Sequence, residues 1–124
     1  MGAFSFSHRG SREAIRRLQG ILRAGEDVTR KVRDTVDRRH AEVMGRRKFP
    51  EKTGRMRRGF QNTGSADRKV TATKDTLKIT VDVPYASYQA HRVKPGLGLN
   101  GAEQAYVFAE PVREVFAMAV AGRV

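Results

Sequence analysis

The stretch Lys69-Val70-Thr71-Ala72-Thr73-Lys74-Asp75-Thr76-Leu77-Lys78-Ile79-Thr80-Val81-Asp82-Val83 alternates apolar and polar residues along its second half. In an extended chain successive side chains point to opposite faces, so Leu77, Ile79, Val81 and Val83 share one face. Lys78, Thr80 and Asp82 share the other. Two strand-like runs flank Lys74-Asp75-Thr76, and the spacing predicts an antiparallel hairpin over 68–83. Pro84 lacks an N–H for the ladder and ends the second strand. Tyr85-Ala86-Ser87-Tyr88-Gln89 then reads as a short helical turn.

Upstream of the hairpin the period lengthens. Ser11 is a suitable N-cap with Glu13 in the first turn. Ile15, Leu18, Leu22, Val28, Val32, Val36 and Val43 then recur mostly three, four or seven apart, which predicts a helix over 11–44. Its length would be roughly 50 Å, with a bend at Gly20–Gly25 and a stop at Gly45. Arg16, Arg17, Arg23, Arg30, Arg33, Asp34, Asp37 and Arg38 occupy the opposite face, and Glu26→Arg30 and Asp34→Arg38 are acid-before-base pairs four apart. The apolar stripe is narrow, and the chain that follows is too short to cover a helix of that length. Val28, Val32 and Val36 are therefore expected to pack partly on a neighbouring subunit. Residues 1–10 show no periodicity and read as an arm, either frayed or docked through Phe4 and Phe6 on a neighbour.

Residues 46–67 read as a basic loop in which Thr53–Phe60 forms a helical turn, with Met56 and Phe60 on one side. Residues 94–104 read as a Gly-rich loop carrying Leu97 and Leu99 toward a partner. Tyr106-Val107-Phe108 reads as a short strand. Pro111 suits the first turn of a C-terminal helix over 110–121, whose apolar face is Val112, Val115, Phe116, Ala119 and Val120. The fold class expected is α+β: a long N-terminal helix and a C-terminal helix packed on a small antiparallel β-sheet, in one domain over 11–124.

Composition narrows the function. The chain of 124 residues holds 25 Lys+Arg against 13 Asp+Glu, a net charge of +12, and no Cys. Disulfides, thiolate metal sites and thiol nucleophiles are excluded, and no apolar run approaches membrane-span length. Met1 to Ser7 does not look like a secretory leader. Nearly all the surplus lies in residues 1–69, densest at Arg46, Arg47, Lys48, Lys52, Arg55, Arg57 and Arg58. These seven are the candidate contacts to DNA phosphate or to an acidic partner. Aromatics do not alternate with them, which argues against a single-strand stacking platform. His8, His40 and His91 lack the spaced partners of a metal site. The loop 96–101 has no Gly-Lys-Ser/Thr ending to cradle phosphate. No catalytic, cofactor or metal residue is expected.

Three short boxes in order carry a resemblance. They are Thr53-Gly54-Arg55-Met56-Arg57-Arg58-Gly59-Phe60, then Pro84-Tyr85-Ala86-Ser87-Tyr88, then Tyr106-Val107-Phe108 running into the last helix. Over residues 11–121 the chain resembles the phage morphogenesis family of tail-completion or neck proteins of long-tailed bacteriophages. It departs from that pattern at Gln89-Ala90-His91-Arg92 and at Ala109-Glu110-Pro111. The resemblance implies a non-enzymatic virion protein, assembled in the host cytoplasm into a homo-oligomeric ring, commonly a hexamer. The ring would join portal-side head-connector proteins to tail-tube or tail-terminator proteins, with dsDNA passing transiently through its lumen. The long helix, the hairpin edge and the 94–104 loop would be subunit surfaces, which together with the docked arm makes Phe4, Phe6, Val28, Val32, Val36, Tyr85, Tyr88, Leu97 and Leu99 the interface candidates. The rival reading is a small basic nucleic-acid-binding protein.

Overall fold

A computed structural model describes residues 3–8, 25–50, 54–72, 76–84 and 86–121. The elements in chain order are strand β1 (Ala3–His8), helix α1 (Gly25–Met44), helix α2 (Gly54–Gln61), and strands β2 (Arg68–Ala72) and β3 (Leu77–Asp82). Helix α3 (Ala86–Gln89) follows and runs into a 3₁₀ turn, Ala90–Arg92. The chain ends in α4 (Gly101–Gln104), a π turn (Ala105–Ala109) and α5 (Glu110–Val120), which form one continuous helix. The class is α+β, as the residue pattern implies.

The hairpin forms as its alternation dictates, with β2 and β3 antiparallel and Val70 opposite Ile79. Its turn residues 73–75 lie outside the described residues. Leu77, Ile79 and Val81 are fully buried while Lys78 and Asp82 are exposed.

The 1–10 segment departs from expectation. Ala3–His8 is a strand of the same sheet, antiparallel to β3, giving the order β1-β3-β2. Phe4 lies opposite Val81 and Phe6 opposite Ile79, so both rings fall on the inner face. Phe6 sits 4.6 Å from the His40 ring, and both phenylalanines meet Phe60 edge-on near 6 Å. Alternation over Ala3-Phe4-Ser5-Phe6 was the strand signal, too short to outweigh the missing flanks. Phe4 and Phe6 thus dock on this chain's own core and not on a neighbour's.

The valine stripe is also corrected. Val28, Val32 and Val36 are buried inside the single chain, together with Val43 and Met44. The sheet, α2, the π turn and α5 cover α1 between them, the π turn lying where a strand was expected. The 11–24 part of the expected helix lies outside the described residues. Among its described side chains α1 pairs Asp27 with Arg30 at 3.7 Å and Arg33 with Asp34 at 3.6 Å; the Glu26 side chain of the expected Glu26→Arg30 pair lies outside them.

The expected strand 106–108 is helical. Asn100 caps α4 in a capping box: its side chain accepts from the Glu103 N–H, and the Glu103 carboxylate accepts from the Asn100 N–H. Helix therefore begins at Gly101, inside the expected 94–104 loop, and runs through the expected start at 110. The π turn has a local cause. A proline in a helix removes one N–H and crowds the carbonyl four residues earlier, here that of Val107 ahead of Pro111. The Glu110 N–H bonds to Ala105 O, five residues back. Tyr106 O would next take its bond from residue 111, which is proline. The Arg39 guanidinium supplies that bond instead, donating to Tyr106 O at 3.1 Å while stacking 4.7 Å from the Tyr106 ring centroid and pairing with Glu114.

Helix α2 packs tightly on the sheet through Gly59. A Cβ there would lie 2.8 Å from Val81 and 3.1 Å from Val83, so only glycine allows this approach.

Candidate nucleic-acid interface

The cationic residues expected to act together are separated by the fold into structural and free groups. Arg47 is structural. Its side chain is 5% exposed and each of its three guanidinium nitrogens is hydrogen-bonded. It donates to Gly96 O at 2.7 Å, to Gly98 O at 2.9 Å, and in a two-pronged pair to the Glu103 carboxylate at 2.8 and 2.9 Å. The Gly-rich loop thus wraps an arginine. Gly96 takes a positive φ of 131° in this loop, a conformation that favours glycine, and the Arg47 hydrogen bonds hold the Glu103 carboxyl below the usual carboxylate range. Arg47 is withdrawn from the polyanion contacts. Leu97 is buried in the core by the same wrapping and Leu99 packs partly against it, so neither projects toward a partner.

Arg46 is exposed, at the edge of pairing distance from Glu42 (3.9 Å). Lys48 is exposed, with its backbone bridged to Lys94. Lys52 and Tyr85 lie outside the described residues. Arg55 is exposed and holds Asp67 in a two-pronged pair at 2.8 and 3.0 Å, which lowers the Asp67 pKa. Arg57 and Arg58 are exposed. Of the interface candidates among the described residues, Tyr88 is the one left largely bare, at 75% exposure.

Arg55 and Arg58 rise from α2 at a spacing of three and face α1 across a groove of about 850 Å³. Arg38 and Glu42 form the opposite wall, one helical turn apart, and the 62–67 loop closes one side. Both acids of the groove are occupied. Asp67 lies in the Arg55 fork, and Glu42 accepts from the Tyr106 hydroxyl, which raises that hydroxyl's pKa. Arg38 and Arg58 have no ion pair among the described residues. Arg38 was placed on the helix face by its period but not with the basic cluster, since their proximity depends on how α1 crosses α2.

A buried polar centre lies beneath this groove. Arg68, 1% exposed at its side chain, pairs with Asp37 through Nε. Its Nη2 donates to Asp37 O and to His40 Nδ1, both at 3.0 Å, and its Nη1 donates to Phe60 O at 3.0 Å. One guanidinium so ties α1, α2 and β2 together. An arginine can only donate, so His40 Nδ1 is the accepting nitrogen and the ring is neutral. Burial, then the Arg68 and Arg47 charges, push the His40 pKa down to about 3. This centre is structural, and the sequence signal for it was positional: His40 stands at the vacant fourth place between Val36 and Met44.

Among the described residues, no group of three or more His, Asp or Glu converges as a metal site would, and no helix is long and apolar enough to cross a membrane. No family model, curated protein or solved structure matches the chain.

Proposed function

We propose that the protein is a structural component of a bacteriophage neck, assembling as a homo-oligomeric ring that joins the head connector to the tail around the DNA channel. The observation that carries this reading is where the three shared boxes fall. Met56, Gly59 and Phe60 of the first box, Ala86 of the second, and Val107 and Phe108 of the third are buried in one core. The boxes are therefore the residues that specify this architecture, which is what a resemblance confined to short segments would preserve. Both outer strands, β1 and β2, leave one edge unpaired within the described residues, and two unlike edges suit head-to-tail contacts that close into a ring. Tyr88 and Val120, 75% and 64% exposed, are apolar groups of the kind such contacts cover.

The test is solution mass by light scattering, followed by locating the protein in purified particles by cryo-electron microscopy. A ring seated between portal and tail is expected. A monomer that never enters particles would sink the proposal. The basic groove favours the second reading, a free-standing nucleic-acid-binding protein, which predicts tight DNA binding by that same monomer.

A further inference from the structure

We infer that the groove between α1 and α2 is a binding site for the phosphodiester backbone of duplex DNA, with Arg38 and Arg58 as its contact residues. The inference deepens, and rests on, the reading of this chain as one that handles DNA. It differs from the cluster visible in the sequence in leaving out Arg47 and in bringing in Arg38 from another helix.

Three features of the groove select the ligand. First, its charge is net positive: Arg38, Arg55 and Arg58 outnumber Glu42 and Asp67, and since Arg55 holds Asp67 in a two-pronged pair, Arg38 and Arg58 are left without an ion pair among the described residues. Secondly, its remaining polar lining is neutral: Asn62, Thr63 and Ser65 carry the amide and hydroxyl groups that accompany arginine at phosphate contacts. Thirdly, alanine is its largest apolar lining residue. Protein partners anchor through large apolar or aromatic side chains seated in pockets, and single strands stack on aromatic rings. The groove offers neither, which leaves the outer surface of a duplex.

The magnitude follows from counterion release. Each phosphate contact contributes about 0.9 to the slope of log K against log salt, hence about eightfold in affinity between roughly 1 M and 0.1 M salt. Two contacts give about 60-fold.

The experiment is fluorescence anisotropy of a labelled random-sequence duplex across a salt series. The proteins are wild type, Arg38→Ala/Arg58→Ala, Arg38→Lys/Arg58→Lys, and a charge-matched control, Lys78→Ala/Arg113→Ala, on other exposed surfaces. The expected result is a slope lowered by about 1.8 and an affinity lowered by about 60-fold at low salt in the alanine variant. The lysine variant should keep the slope, and the control should stay within about threefold of wild type. An equal loss in the control variant would overturn the inference, because binding would then be diffuse. So would a loss in the lysine variant equal to that in the alanine variant, which would make it structural. Absence of wild-type binding, or a loss seen only with a polyglutamate probe, would also refute it. A ring that forms but binds DNA independently of Arg38 and Arg58 overturns this inference alone. A monomer that binds through them and never assembles overturns the proposed function alone.

Discussion

Replacing Arg47 by alanine removes four hydrogen bonds at once, two from loop carbonyls and two from the Glu103 carboxylate. The pair is nearly closed to water, with 5% of the arginine side chain and 15% of the glutamate exposed. Breaking a buried pair from one side costs about 3–5 kcal/mol, because a charge is left without its partner. Residual access of water to Glu103 places this case at the lower end, about 3 kcal/mol. For a chain of this size, each kcal/mol shifts the melting temperature by roughly 3–5 °C, so a loss near 10 °C is expected. Circular dichroism at neutral pH measures both, the free energy by urea unfolding and the melting temperature by a thermal scan. The double variant Arg47→Met/Glu103→Gln should recover part of the loss, since two apolar or neutral groups strand no charge. Acid provides a further check. The Glu103 pKa is lowered in the folded state from 4.5, so its stabilisation is full above that value and disappears as pH falls through the folded value. The gap between wild type and Arg47→Ala should therefore narrow on acidification. An Arg47→Ala protein within about 1 kcal/mol of wild type at neutral pH would refute the structural assignment of Arg47 and return it to the surface contacts.

Three more outcomes are expected. His40 is depressed to about 3 from 6.5, so the folded state favours its neutral form. Stability is then full above 6.5 and falls by about 1.4 kcal/mol per pH unit on acidification toward 3. Chemical unfolding between about pH 5 and 6, where the unfolded-state imidazole is mostly protonated and carboxylates stay largely ionised, should approach this slope in wild type and lose it in His40→Gln; equal slopes would refute it. Gly59→Ala should cost about 1–3 kcal/mol by forcing α2 off Val81 and Val83, and a calorimetric melting point unchanged from wild type would contradict the packing. Phe6→Ala should cost about 2 kcal/mol, less than the 3–5 of a fully buried phenylalanine, and should speed amide exchange along β3; a protected β3 would show that β1 is dispensable.

Much of the fold was legible because one strong signal sat at its centre. The β2–β3 alternation, the Val28–Val32–Val36 stripe and the Met56–Phe60 pair all form as their periods require. What misled was context beyond the reach of local pattern. Tyr106-Val107-Phe108 has strand propensity, yet the Asn100 cap upstream and continuity into α5 make it helix. Phe4 and Phe6 looked unpartnered because β3, which pairs with them, lies far along the chain. The basic cluster read as one surface, but Arg47 turns inward because Gly96, Gly98 and Glu103 form a socket for it. Arg68 gave no warning at all; a buried arginine at a strand start is recognisable only once Asp37, His40 and Phe60 stand around it.

The strand order bears on how the protein is made. β1 leaves the ribosome about 70 residues before β3, the strand it must pair with, and until then Phe4 and Phe6 are apolar rings on an incomplete edge. The local β2–β3 hairpin can close first, whereas β1 joins only by shutting a long loop. Newly made chains at high local concentration could offer β1 to one another's β3 before their own is ready. Slowing synthesis while the residues between β1 and β3 are being made, or overproducing the protein, should therefore raise the share of strand-exchanged oligomers, detected as species that fail to dissociate on dilution.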